Sequence, residues 1–175
     1  MKALEWLNDQ GGSQKIELCD PTALFAHVEK YHPITDELKE YGEAQLPAEP
    51  IDLHLVRLLS GDDIIEVSEA IDETGFLMSM GYVSVADFDG GIVLFNANDA
   101  SVHVLEVDAL DLSRVTFDED TEEYFWDEEP IEDVSDDFEM VFEECSTEFA
   151  SLEEFDEVLA GVLKGEIESE ELGIE

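Results

Sequence analysis

The chain has 175 residues, with 48 Asp plus Glu against 7 Lys plus Arg, and a formal net charge of −41 at neutral pH. Ordinary surfaces mix both signs and carry a net charge of only about 2 to 8, so this chain tolerates heavy self-repulsion, and its sign excludes direct grip on nucleic acid and adhesion to anionic lipid. A hydrophobic fraction of 44%, with ten Phe, four Tyr and two Trp, excludes a solvated polyanion without a core.

In chain order, a short helix or strand around Leu4, Trp6 and Leu7 is broken at Gly11 and Gly12. Asp20 as a cap and Pro21 at the first helical position open a helix that places Leu24, Phe25, Val28 and Tyr31 on one face, and Pro33 ends it. A second short helix spans about Asp36 to Tyr41. QLPAEP then forms an extended connector. The run from Ile51 to Leu59 fits helix or strand equally, Ile64 to Ile71 has mixed periodicity, and TGFLMSMGY is turn-like at both glycines.

Strand signals are clearest in the middle. Tyr82, Val83, Val85 and Phe88 precede an Asp-Gly turn, Ile92 to Phe95 follow it, and Val102, Val104 and Val107 alternate with His103 and Glu106. An antiparallel meander of about three strands is expected, with Val115 and Phe117 adding a fourth. From Val115 to Ala150 no basic residue occurs and nearly every second position is acidic, yet Tyr124, Phe125, Trp126, Ile131, Val134, Phe138, Met140, Val141 and Phe142 interrupt the acids. Such a segment packs one side and leaves its carboxylates outside. Ser151 with Glu154 opens a last amphipathic helix through Leu152, Phe155, Val158, Leu159, Val162 and Leu163, ending near Gly165.

The expected class is therefore α+β: a mainly antiparallel curved sheet with N-terminal helices and a C-terminal amphipathic helix packed on it. One domain spans residues 1–165, including the acidic segment at 115–148, and residues 166–175 form a frayed acidic tail. Cys19 and Cys145 lie far apart with no metal-like spacing to any histidine and read as buried free thiols. MKALEWLNDQ does not read as a secretory signal and no stretch is apolar enough to span a bilayer, so the cytoplasm is the expected compartment.

The connector QLPAEP after an early helix, the hairpin region GYVSVADFDGGIVLFNANDASVHVLEVD and the closing SLEEFDEVL resemble the SUKH superfamily of mostly bacterial immunity proteins, over most of residues 20–164. The long acidic insertion at roughly 115–148 and the charge depart from that family. The resemblance implies a sheet covered by helices and a binding function without catalysis, in many members the neutralisation of a toxin nuclease with a basic cleft.

The residues themselves offer little for catalysis or cofactors. No G-x-S-x-G, H-E-x-x-H, phosphate-binding glycine loop or recognisable Cys-His spacing is present, and carboxylate pairs arise by chance among 48 acids. Asp118, Asp120, Glu122 and Glu129 have offsets like those of a calcium loop, but Glu123 stands where that loop needs glycine. The four histidines are scattered and read as structural or surface residues, and DFDGG reads as a turn.

What remains is the acid itself. Duplex DNA carries one charge per about 1.7 Å of axis, and a folded surface dense in carboxylates offers comparable spacing to a protein that grips phosphates. The expected activity is non-enzymatic: inhibition or sequestration of a basic nucleic-acid-binding protein, either a toxin nuclease or a host DNA-binding protein, through a DNA-mimicking carboxylate surface. The expected carriers are Asp118, Glu119, Asp120, Glu122, Glu123, Asp127, Glu128, Glu129, Glu132, Asp133, Asp136 and Asp137, with Tyr124, Phe125 and Trp126 as anchors or core. The alternative is a salt-adapted or generally acidic housekeeping domain with no single basic partner; Glu over Asp, Lys over Arg and abundant large apolar residues weigh against it.

Overall fold

The computed structural model describes residues 1–174. The class is α+β: seven α-helices, a six-stranded antiparallel sheet and a separate three-stranded antiparallel sheet among these residues. No helix among them is long and apolar enough to cross a membrane.

Five helices, the last of them a single turn, and a short hairpin precede the central meander. Helix α1 (Lys2–Asp9) has no side-chain cap of its own; Asp156, nearly buried, accepts from the Ala3 amide at 3.1 Å and from that of Lys2, so a distant carboxylate satisfies donors that the helix start leaves open. Helices α2 (Thr22–Val28) and α3 (Asp36–Ala44) follow, with Thr35 capping the latter. The ambiguous run at 51–59 resolves into β1 (Ile51–Asp52) and β2 (Arg57–Leu58), because His54 at φ 68° turns the chain too tightly for a helix. Helix α4 (Gly61–Ile71) starts from a capping box in which Ser60 accepts from the Asp63 amide and Asp63 reaches back to the Ser60 amide. One further turn, α5 (Phe76–Ser79), sits between Gly75 and Gly81 and buries Phe76 completely.

Strands β3 (Tyr82–Phe88), β4 (Gly91–Asn96) and β5 (Val102–Glu106) form the meander. Gly90 takes φ 86° in the β3–β4 turn, and Gly91 lies under the Phe88 ring, where a Cβ would fall 1.9 Å from a ring carbon. The register shifts between Ser84 and Ala86, so Val85 bulges and β3 twists more strongly. The sheet order is β1-β2-β3-β4-β5-β9, where β9 is Ser146–Phe149. That order corrects the expected fourth strand: Val115 and Phe117 belong to the second sheet, and β5 pairs instead with β9. Only Phe149 of β9 is buried, so the strand carries no apolar alternation to announce it.

Every residue of β4 is buried, because the sheet is covered on both faces. Val93, Phe95, Val83, Val85, Val102 and Val104 face a first core with Leu24, Val28, Leu38, Leu59 and Ile64 and with α7 (Leu152–Lys164), which supplies Phe155 and Leu159. Ile92, Leu94 and Leu105 face a second core built by the acidic insertion. The segment after α7 does not fray as its composition suggests. A short 3₁₀ turn at Ser169–Leu172 buries Leu172 completely and Ile174 almost so, and Ile167 packs onto Gly161 of α7. Hydrophobic burial holds it despite Glu166, Glu168, Glu170 and Glu171.

Candidate protein-docking surface

Between β5 and β9 the chain leaves the main sheet and builds a layer of its own. Strands β6 (Val115–Asp118), β7 (Glu123–Trp126) and β8 (Glu129–Pro130) form the three-stranded sheet, and α6 (Ile131–Cys145) returns across the main sheet. Its apolar residues face inward: Val115, Trp126, Val134, Phe138 and Phe142 are buried against Phe76, Ile92, Leu94 and Leu105. Phe138 lies at the middle, edge-on to Phe76 at 4.9 Å between centroids and to Trp126 at 5.4 Å. The aromatic triplet divides as its alternation demands. Trp126 is core, Tyr124 is half-buried with its hydroxyl donating to the Thr74 carbonyl at 2.8 Å, and Phe125 is only partly covered.

All twelve carboxylates expected to carry binding are exposed. Eleven have no ion pair among the described residues. The exception is Asp127, which holds Arg114 in a two-oxygen grip, Nε lying 3.0 Å from each carboxylate oxygen. The guanidinium stacks 4.3 Å over the Trp126 ring, and its hydrogen bond holds the Asp127 carboxyl below the usual range. Arg114, the cation that adjoins β6, is thus already engaged.

Several of these acids stand where elementary stability would not put them. Asp118 and Glu123 are directly opposite across β6 and β7, a like-charge pair that a sheet disfavours. Five non-glycine residues among those described have positive φ, and three of them are acids of this layer: Glu122 at 57°, Asp127 at 50° and Glu128 at 71°. Asp127 and Glu128 fill a two-residue hairpin loop between paired Trp126 and Glu129, where Asn-Gly is the favoured choice. Replacing Glu128 with glycine is therefore expected to raise stability by about 0.5–1 kcal/mol, read from the thermal midpoint. Destabilisation would mean that the side chain itself holds the turn.

Helix α6 adds the densest row. Its apolar residues other than Met140 occupy one side, and Asp136, Asp137, Glu139, Glu143 and Glu144 lie opposite with Glu132 and Asp133, all exposed. The five from Asp136 onward span about 12 Å of axis, roughly one charge per 3 Å, between the spacing of duplex DNA and that of one strand, about 1.7 and 3.4 Å. Glu139, Glu143 and Glu144 were not among the expected carriers; the 3.6-residue period through Val134, Phe138 and Phe142 is the signal that places them on the acid side. Met140, 55% exposed, stands amid them. The helix bends at Val134, whose φ of −124° and ψ of 18° are not helical.

Beneath this layer, His103 of β5 is buried between the Tyr82 and Phe142 rings, 5.4 and 5.2 Å away. Its Nε2 meets the Ser101 hydroxyl at 3.0 Å and its Nδ1 is buried without a partner among the described residues. Burial pulls the His103 pKa down, against the opposing pull of Glu148, Asp99 and Glu143. The folded state then binds fewer protons than the unfolded one, so stability is full above the unfolded value near pH 6.5 and is lost as pH falls through the window below it. His27 shifts in the same direction by burial. His103→Gln is expected to flatten the acid-side decline in unfolding midpoint between about pH 6.5 and 5 relative to the native chain; an unchanged decline would assign it to His27 or to the carboxylates.

Other chemistry finds no comparable assembly. Among the described residues no group of three or more His, Cys, Asp or Glu is placed to hold a metal ion, and Asp118 Oδ1 accepts instead from the Asp120 and Thr121 amides at 2.8 and 3.3 Å. Cys19 and Cys145 are free thiols, half-buried and not fully enclosed as expected, because each lies at the margin of a packed layer. Cys145 Sγ donates to the Ala109 carbonyl at 3.0 Å. No protein-family model, curated protein or solved structure matches the chain.

Proposed function

We propose that this protein is a non-enzymatic binder that inhibits or sequesters a basic, nucleic-acid-binding protein, presenting carboxylates where that partner takes phosphates. The observation that carries the reading is the placement of acid on the β6–α6 layer: exposed, almost wholly without ion pairs, and kept at like-charged and positive-φ positions. Residues that oppose local stability point to a demand other than folding. Solubility alone is met at far lower charge.

A basic cleft would meet this surface with fast, salt-sensitive association. A SUKH-like immunity role against a toxin nuclease is one form of the reading; evasion of a host DNA-binding protein is another with the same physics. The test is affinity capture from the source cell followed by elution with duplex DNA. Retained proteins are expected to be basic and to be displaced by the duplex. Captured proteins that are neither would overturn the reading.

A further inference from the structure

The three-stranded sheet leaves one long side open. Its order is β6-β7-β8, so β6 is an edge. The Asp127 amide donates to the Arg114 carbonyl at 3.0 Å, and the register pairs Val115 with Trp126, Thr116 with Phe125, Phe117 with Tyr124 and Asp118 with Glu123. Antiparallel alternation then turns Thr116 and Asp118 toward β7 and turns the backbone groups of Val115 and Phe117 outward. The Val115 amide is taken by the Leu112 carbonyl. The Val115 carbonyl and the Phe117 N–H and C=O have no partner outside the sheet among the described residues.

Edges are normally blunted by shortness, charge, proline or a covering segment. This one is short, four residues, and its charge is acidic, which repels another acidic strand but not a cationic one; it carries no lysine or proline. Phe117 is 40% exposed at the edge, and an open depression beside it is lined by Thr116, Phe117, Phe125, Asp118, Asp120 and Glu128. Two aromatic rings and an unpaired backbone invite a strand, and the carboxylate rim selects its charge.

We propose that β6 receives an extended, lysine- or arginine-bearing segment of the partner as an added antiparallel strand, its apolar side chains on the Phe117 face of the sheet and its cations on the opposite face, that of Phe125 and Asp118, against Asp118, Asp120 and Glu128. Main-chain hydrogen bonds and alternate side-chain contacts would share the recognition. A second copy of the chain is a poor occupant, since it would bring a like −41 charge to the same edge. The inference rests on the basic-partner reading and adds the manner of docking to it.

Two capped peptides of equal charge and length test it on the full chain: one alternating lysine with threonine and valine, and an analogue with proline at its central uncharged positions, which cannot complete a ladder. The alternating peptide is expected to bind about tenfold more tightly and to slow hydrogen exchange at the Phe117 amide by at least about tenfold. Phe117→Pro, tolerated where an edge N–H faces solvent, is expected to erase the preference between peptides, whereas Phe117→Ala weakens binding but keeps it. Equal binding of both peptides with an unprotected Phe117 amide would overturn strand addition and leave the basic-partner reading standing. No binding of either peptide at low salt would overturn both.

Discussion

Replacing Phe138 with alanine is expected to cost about 3–5 kcal/mol of unfolding free energy, a large part of the roughly 5–15 kcal/mol that holds a domain of ordinary stability. The ring is 1% exposed and touches three others, Phe76, Trp126 and Phe142. Removing it opens a cavity at the one place where α6, β7 and α5 meet over the main sheet. Phe142 and Trp126 add to this hold from either side of the ring, while the outer side of the layer consists of mutually repelling carboxylates and contributes none. Denaturant unfolding gives the cost, and the near-ultraviolet signal of Trp126 reports whether the layer loosens before the main sheet. A loss below about 1 kcal/mol would mean that the insertion docks through other contacts.

Neutralising the outer row of α6 is expected to act in the opposite sense on stability and to damage binding. In the variant Asp136→Asn, Asp137→Asn, Glu139→Gln and Glu143→Gln, like-charge neighbours three and four residues apart disappear, as does a carboxylate near the helix C-terminus. Unfolding free energy should rise by about 1 kcal/mol at low salt, and the difference should vanish in molar salt, where such charges are screened. Affinity for the captured partner should fall roughly ten- to a hundredfold at low salt, with a weaker dependence on ionic strength. The same salt series separates this account from salt adaptation. The native chain should be folded at moderate ionic strength; a strict need for molar salt would favour the acidic housekeeping alternative.

Much of this architecture is legible in the sequence, and the places where it is not share a cause. The central meander is readable because Val83, Val85, Val93, Val102 and Val104 follow a two-residue period and Asp89-Gly90 closes a turn. Helix α7 is readable because Ser151 caps a 3.6-residue pattern, although Glu154 reaches the Ala150 amide, one residue earlier than a capping box requires. By contrast, α4 begins with a Ser60–Asp63 box that uses the shorter acid, and β9 is fixed by its pairing with β5 rather than by any pattern of its own. Phe76 sits in a four-residue turn between glycines, so only the tertiary structure shows it as the floor of the second core.

The candidate surface is readable as composition and not as shape. The acids from Asp118 to Asp137 could be named because cations are missing from that stretch, and aromatics among them signalled folding. That Asp127 is occupied by Arg114, that Glu122 and Glu128 are held at positive φ, and that β6 is an open edge are long-range or backbone facts. Residue identity alone does not encode them.

The central claim is that the carboxylates of the β6–α6 layer take the place of nucleic-acid phosphates on a basic partner. Its most direct test is a competition in which the captured partner, bound to a labelled DNA duplex, is titrated with the native chain and with the fourfold α6 variant. The native chain is expected to release the duplex completely, and the variant to require roughly ten- to a hundredfold more protein. A partner that holds duplex and native chain at once, or a variant that competes as well as the native chain, would contradict the account.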